Sequence, residues 1–310
     1  MWTADDIPDQ TGRVAVVTGA NGGLGFEVAR VLARKGATVV VAARDQEKAH
    51  DAQRMIRAES PDATVRLYEL DLASLDSVRT CGDRIAAEHR KIDLLVNNAG
   101  VMGIPERTTS DGFEMQLGVN HLGHFVLTRR LLHSILEAPA ARVVSVTSFA
   151  RLIGRPVQPD NPHLRGRYGP WRAYNQAKLA NVQFAFELQR RLESAGASVL
   201  SLIAHPGLAH TDLQARSVAE TGGGITQRFW QVAARSIGMS PPQGALPLLY
   251  AATDAEARAG QIYGPKWLTF GPPVRRPLVR RPRGGETLWT VSERETAEAF
   301  DVAEIVEQHS

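Results

Sequence analysis

Tyr174 and Lys178 stand four residues apart in the run Tyr-Asn-Gln-Ala-Lys, a spacing that puts both side chains on one face of a helix. A phenol titrates near about 10 and does little acid–base work at neutral pH unaided. A lysine cation held beside it favours the phenolate and lowers that pKa. The pattern arises often by chance on amphipathic helices, so its meaning rests on its company. Ser148 closes the run Arg-Val-Val-Ser-Val-Thr-Ser, about 26 residues upstream, with Thr147 as a rival hydroxyl. Asn120 lies in Gly-Val-Asn-His-Leu-Gly-His-Phe. His121 and His124 in that run could pair as metal ligands, but no third ligand is evident and no metal is expected. Cys81 is the single cysteine, so no intrachain disulfide forms. It sits in a helix-like stretch without a nucleophile motif and is expected to be inert.

A second cluster suits phosphate. The run Thr18-Gly19-Ala20-Asn21-Gly22-Gly23-Leu24-Gly25 follows a strand-like segment and opens a helical one. Glycines there let the backbone turn tightly and approach a pyrophosphate, while the helix N-terminus supplies free N–H groups. An NAD site usually wants an acid about 20 residues further on, for the ribose 2′-hydroxyl. That position falls on Ala43, and Arg44 follows. A guanidinium fork suits a 2′-phosphate. Asp45 could be the acid in a shifted register, or the N-cap of the next helix, and the cap is the favoured reading. NADP(H) is expected, with NAD(H) the second choice.

These stations need a scaffold that brings them to one edge. Residues 14–18, 38–42, 65–68, 92–96, 142–147, 198–203 and 261–263 read as short β-branched strands. Helical patterns alternate with them at 24–35, 45–59, 74–89, 110–136, 173–195 and 243–253, the first C-capped by Gly36. Strands joined by helical crossovers imply a parallel sheet covered on both faces, a doubly wound α/β fold. No repeat or long linker interrupts residues 1–310, so a single domain is expected. Two segments break the rhythm, 149–172 and 208–242, the second with a helical pattern at 225–237. Both read as loops around a site.

The glycine spacing, Gly-x-x-x-Gly-x-Gly, resembles that of the short-chain dehydrogenase/reductase family. Asp71-Leu72, Asn97-Asn98-Ala99-Gly100 and His205-Pro206-Gly207 match it too, and the likeness covers roughly residues 12–264. Asn-His-Leu-Gly-His-Phe, Thr-Ser-Phe-Ala-Arg, Asn-Gln-Ala-Lys-Leu-Ala-Asn and the late Leu-Trp-Thr-Val-Ser-Glu resemble its retinol-dehydrogenase-like members and their bacterial relatives. The resemblance implies a Rossmann-type fold and an oxidoreductase acting on a carbonyl or alcohol. It implies that Tyr174 exchanges a proton with the substrate oxygen, that Ser148 hydrogen-bonds that oxygen, and that Lys178 holds the nicotinamide ribose. Asn120 would order a water that relays protons to Lys178. Gly19, Asn21, Gly23, Leu24, Gly25, Arg44, Asp71, Leu72, Asn98, Ala99, Gly100, Tyr174, Lys178, Pro206, Gly207 and Thr211 would contact the cofactor. Family members often pair through the helices bearing Asn120 and Tyr174, so a homodimer or homotetramer is expected.

The remaining features bound the function. Hydrophobic residues at 43 % allow a large core, and net charge is only +3. Much of that excess sits in Arg-Arg-Pro-Leu-Val-Arg-Arg-Pro-Arg at 275–283, within a basic segment 271–285 that reads as a solvated loop. No nucleic-acid motif accompanies it, so no such partner is expected. The N-terminus has no basic n-region or apolar h-region, and no run of about 18 apolar residues occurs. A cytoplasmic enzyme with no transmembrane segment is expected. Arg151, Arg155, Arg165, Arg167 and Trp171 suggest an anionic or extended polar substrate, or a solvated lid. Ile225, Phe229, Trp230 and Val232 suggest an apolar one, or ordinary packing. A non-catalytic NADP(H)-sensing protein on the same fold is the competing reading; such proteins usually lose a catalytic residue, and none is missing here.

Overall fold

A computed structural model describes residues 2–208, 238–277 and 282–309. Eight strands form one sheet: β1 Val14–Thr18, β2 Thr38–Ala43, β3 Val65–Glu69, β4 Leu94–Asn97, β5 Arg142–Val146, β6 Leu200–Ala204, β7 Gln261–Pro265 and β8 Pro273–Pro277. Their order is β3-β2-β1-β4-β5-β6-β7-β8. β1 to β7 run parallel, and β8 pairs antiparallel with β7. This is the Rossmann-type sheet that the strand–helix alternation leads one to expect.

Alternate residues of each inner strand enter opposite layers. Val16, Leu95 and Val143 pack with α3 (Leu75–Glu88), α5 (Gly123–Leu136) and α6 (Pro170–Ser194). Ala15, Val17, Leu94, Val96, Val144 and Val146 pack with α1 (Gly23–Arg34), α2 (Gln46–Glu59) and α7 (Pro241–Thr253). Strands buried on both sides must be apolar on both sides, which is why they read as continuous hydrophobic runs. Chain order reverses between β1 and β4, and this switch opens a crevice beyond the strands' carboxyl ends.

The structure departs from sequence expectation in several places. Helix does not begin at Ser110. Residues 108–114 make a tight turn closed by a Thr108–Glu114 bridge. Helix then starts as α4 (Met115–Leu117) and passes through a π-helical turn, Gly118–Leu122, into α5. α6 begins at Pro170, whose fixed φ suits the first helical position. Residues 149–172 are not all loop, since Phe149–Ile153 form a 3₁₀ turn.

The basic segment is also partly ordered structure rather than a solvated loop. Residues 273–277 form β8, an edge strand with a proline at each end, where missing N–H donors are tolerated. Residues 278–281 lie outside the described residues, as do Thr211 and the expected helix 225–237. No helix among the described residues is long and apolar enough to cross a membrane.

Two C-terminal helices, α8 (Gly285–Thr296) and α9 (Val302–His309), pack against α5 and α6. Trp289 is 1 % exposed. Its ring centre lies 5.1 Å from Phe125, 5.8 Å from Phe184 and 4.8 Å from Phe300. The Arg191 guanidinium sits 4.4 Å above its ring. These helices cover part of α5 and α6, the elements through which pairing between copies is expected. Trp289→Ala should destabilise the fold by about 3–5 kcal/mol, as for other buried aromatics cut back to alanine. Urea unfolding of the purified variant checks this, and a loss under about 1 kcal/mol would mean that the aromatic seat contributes little.

Candidate active site

A cleft of about 970 Å³ follows the carboxyl edge of the sheet. Its wall carries Gly19, Asn21, Gly23, Leu24, Arg44, Asp71, Leu72, Asn98, Ala99, Gly100, Ser148, Tyr174, Lys178, Pro206 and Gly207. Gly25 and Asn120 do not reach this wall and stand behind it.

At one end the backbone is stripped of side chains where a ligand must approach. Gly19 has φ +66°, and a Cβ there would lie 3.0 Å from Ala99 Cβ. Gly25 serves packing instead: a Cβ would come within 2.5 Å of Gly19 O and Asn98 Nδ2. No side chain caps the α1 N-terminus, so its first amides remain available to an anion.

The hydroxyl of Thr18 locks this loop to the next. It accepts from Asn98 N at 2.9 Å and Ala99 N at 3.0 Å, while Asn98 Nδ2 donates to Thr18 O at 2.8 Å. His124 Nε2 lies 2.9 Å from the same hydroxyl, and His124 Nδ1 lies 3.2 Å from Asn120 O. A carbonyl can only accept, so Nδ1 carries the hydrogen and Nε2 accepts from Thr18. Burial pushes the His124 pKa down to about 4, which keeps the ring neutral. His121 is likewise buried, 2.7 Å from Ser292 Oγ. Burial pushes the Cys81 thiol up to about 12, consistent with an inert side chain.

Where the adenosine ribose would lie, β2 ends in Ala43, 3 % exposed. The carboxyl of Asp45 caps α2, Oδ1 accepting from Lys48 N at 3.1 Å. Arg44 is 70 % exposed, its Nη1 4.0 Å from Asp71 Oδ1. Lys48 lines the cleft as a second cation. Sequence reading missed it, although its place in the first turn after the Asp45 cap was a usable signal.

At the other end, the Ser148 hydroxyl stands beside Tyr174 and acts to lower its pKa. Ser148 Oγ also accepts from Ala150 N at 3.2 Å, holding the 3₁₀ turn. Thr147, the rival hydroxyl, is buried and donates to Lys178 O at 2.6 Å. Lys178 Nζ lies 5.8 Å from the Tyr174 ring centre and donates to Val146 O at 3.3 Å. The expected lowering of the Tyr174 pKa by Lys178 is not found. Burial pushes the phenol up to about 12, opposed by the Ser148 hydroxyl, and burial pushes the Lys178 ammonium down to about 8. Desolvation outweighs the pairing.

Asn120 rides on the π-helical turn. Its Oδ1 accepts from Val101 N at 2.8 Å and its Nδ2 donates to Val101 O at 2.9 Å. A Cβ on Gly100 would stand 2.6 Å from Asn120 Oδ1 and 3.5 Å from Lys178 Nζ, so glycine keeps the space between them clear. Phe149, Trp171, Met102, Met115 and Leu208 give this end apolar walls. No spacing or motif marks the two methionines in the sequence.

The short chain dehydrogenase family profile matches residues 13–222. Human retinol dehydrogenase 13 is 45 % identical over 202 residues, covering 65 % of this chain and 60 % of that protein. The matched region thus spans less than two thirds of that relative. A crystal structure of an uncharacterised Mycobacterium paratuberculosis protein is 40 % identical with TM-score 0.76, covering 96 % of this chain and 98 % of that one. A Beutenbergia cavernae structure described as an NAD(P)-dependent gluconate 5-dehydrogenase with bound NADP is 27 % identical with TM-score 0.63, covering 82 % and 95 %.

Glu114 supports Asn120 from below. Its buried carboxyl accepts from Gln116 N at 2.8 Å and Leu117 N at 2.7 Å, capping the helix that leads to the π turn. Burial pushes its pKa from 4.5 up to about 7, against those two bonds. The folded pKa exceeds the unfolded one, so the linked stability is full below about pH 4.5 and lost as pH rises through about 7. Relative to Glu114→Gln, the wild type should lose up to about 3 kcal/mol between about pH 5 and about pH 8. Chemical denaturation across that range measures the difference, and a flat difference would refute the assignment.

Proposed function

Because the chain belongs to the short-chain dehydrogenase/reductase family and is an NAD(P)-dependent oxidoreductase, we propose that it moves a hydride between NADP(H) and a carbonyl or alcohol through Ser148, Tyr174, Lys178 and Asn120. One arrangement carries the reading: the Ser148–Tyr174 hydroxyl pair at one end of a cleft whose other end offers Arg44 and Lys48 and no free ribose carboxylate.

The cleft fits a dinucleotide. Gly19 and Gly100 leave room where a Cβ would strike a neighbour. The α1 amides suit the pyrophosphate. When bound, the nicotinamide supplies or accepts the hydride. Arg44 and Lys48 would hold the 2′-phosphate, Arg44 exchanging its distant contact with Asp71 for charge-assisted bonds. Asp45, committed to its cap, is a poor ribose ligand.

Tyr174, with its pKa near 12, keeps its proton at neutral pH, the form that donates to a carbonyl oxygen during reduction. Ser148 gives that oxygen a second hydrogen bond as charge develops. Lys178 is a cation below about pH 8, able to hold ribose hydroxyls and to stabilise the phenolate left after proton transfer. Asn120 orders a water that returns the proton through Lys178.

Fluorescence titration with NADPH and NADH tests the cofactor assignment. Arg44→Ala should weaken NADPH binding about tenfold, roughly 1.4 kcal/mol, and NADH binding far less. Preference of the wild type for NADH would overturn it. Tyr174→Phe should lower kcat/KM by about 10²–10⁴, far more than it weakens NADPH binding. Cofactor binding by the wild type without turnover of any aldehyde, ketone or alcohol would leave a nucleotide-sensing protein instead.

A further inference from the structure

A second cavity of about 620 Å³ adjoins the cleft. Ile153 and Asn175 belong to both walls. Asn175 follows Tyr174, and Ile153 ends the 3₁₀ turn that Ser148 begins. The cavity therefore borders the cleft at residues close in chain to the hydroxyl pair, and no residue of the glycine loop lines it.

Its wall is cationic. Arg155, Arg167 and Arg172 line it, and no aspartate or glutamate does. None of the three pairs with a carboxylate among the described residues. Arg172 Nη1 donates to the Arg167 carbonyl at 3.3 Å. Several other arginines are matched: Arg30 with Glu27, Arg79 and Arg130 with Glu298, Arg190 and Arg191 with Glu187. Gathering three like charges around one space without a counter-charge is unfavourable, and an anion bound there relieves it. Arg172 also stands in the first turn of α6, where the helix dipole adds positive potential.

The wall is held in place. Asn161 Oδ1 accepts from Arg165 N at 2.8 Å and its Nδ2 donates to Arg165 O at 3.0 Å. Gln176 Nε2 donates to Pro162 O at 2.9 Å, and His163 Nε2 lies 2.8 Å from Glu295 Oε2. Leu164 is buried in a left-handed conformation, φ +55°, and anchors the turn that presents Arg167. These contacts reduce the ordering cost that a ligand would otherwise meet.

We propose that this cavity is an anion subsite of the active site, and that the natural substrate is an aldehyde, ketone or alcohol carrying a carboxylate or phosphate at its far end. The assignment rests on Tyr174 and Ser148 facing the reacting oxygen. Guanidinium forks suit both oxyanions, and Ile153 and Leu164 would line an aliphatic stem between the two ends.

The test uses three aldehydes of equal chain length, ending in methyl, carboxylate or phosphate monoester. Wild type and the Arg167→Gln/Arg172→Gln variant, both sites exposed, are assayed with NADPH. The wild type should favour at least one anionic aldehyde over the methyl one at least tenfold in kcat/KM, and the variant should lose most of that ratio through KM. Whichever anion gives the larger ratio identifies the group. Equal rates for all three aldehydes, or a ratio untouched by the substitutions, would overturn the subsite while the oxidoreductase reading stands. Calorimetric titration with the carboxylate and phosphate aldehydes in the presence of NADP⁺ runs alongside. If no aldehyde turns over, the catalytic reading fails; tenfold weaker binding by the variant would still support the subsite, and equal or absent binding would sink it too.

Discussion

The hydroxyl of Thr18 ties together three parts of the chain that form the floor of the cleft. It receives the amides of Asn98 and Ala99 and gives its own hydrogen to His124, which gives its hydrogen to the carbonyl of Asn120. The end of β1, the end of β4 and the π-helical turn before α5 therefore share one hydrogen-bond chain. Each link needs its neighbour in a definite state. A protonated His124 could not accept from Thr18, and burial of the imidazole prevents that protonation. The distance between the glycine loop and the Gly100 turn, hence the width of the cleft floor, follows from this chain.

The same desolvation that keeps His124 neutral governs the chemical end. Tyr174 and Lys178 are both buried, and burial disfavours each one's charged form. The phenol holds its proton more firmly and the ammonium less firmly, so the ordinary order of the two is reversed, the phenol at about 12 standing above the ammonium at about 8. Ser148 is the one neighbour found to act against the rise at Tyr174. The apo site is thereby set in the proton-loaded form, and the chemistry starts from a neutral acid rather than a preformed base.

Spacing carried the site further than it carried the periphery. Tyr174 and Lys178, the Ser148 that ends β5, and the glycines between β1 and α1 are legible because each depends on local geometry: a helical turn, a strand terminus, a strand-to-helix bend. Asp45 was legible as a cap for the same reason. The direction of the Tyr174 shift was not, because spacing reports neighbours and not burial. Met102 and Met115 reach the cleft by tertiary placement that no local pattern encodes. β8 was hidden by its own prolines. α8 escaped notice because its stretch Thr-Val-Ser-Glu-Arg-Glu-Thr is mostly polar, and its value lies in Trp289 meeting residues far away in the chain.

That last contact bears on how the protein is made. Phe125 and Phe184 leave the ribosome long before Trp289 and Phe300, which cover them, have been synthesised. The growing chain must carry an uncovered aromatic surface on α5 and α6 until Trp289 and Phe300 have followed. Surfaces of that kind attract one another and the chaperones that shield nascent chains. Closure over α5 and α6 thus waits for residues far downstream, and a chain cut at the end of the family-matched region would keep Tyr174 and Lys178 but leave Phe125 and Phe184 uncovered.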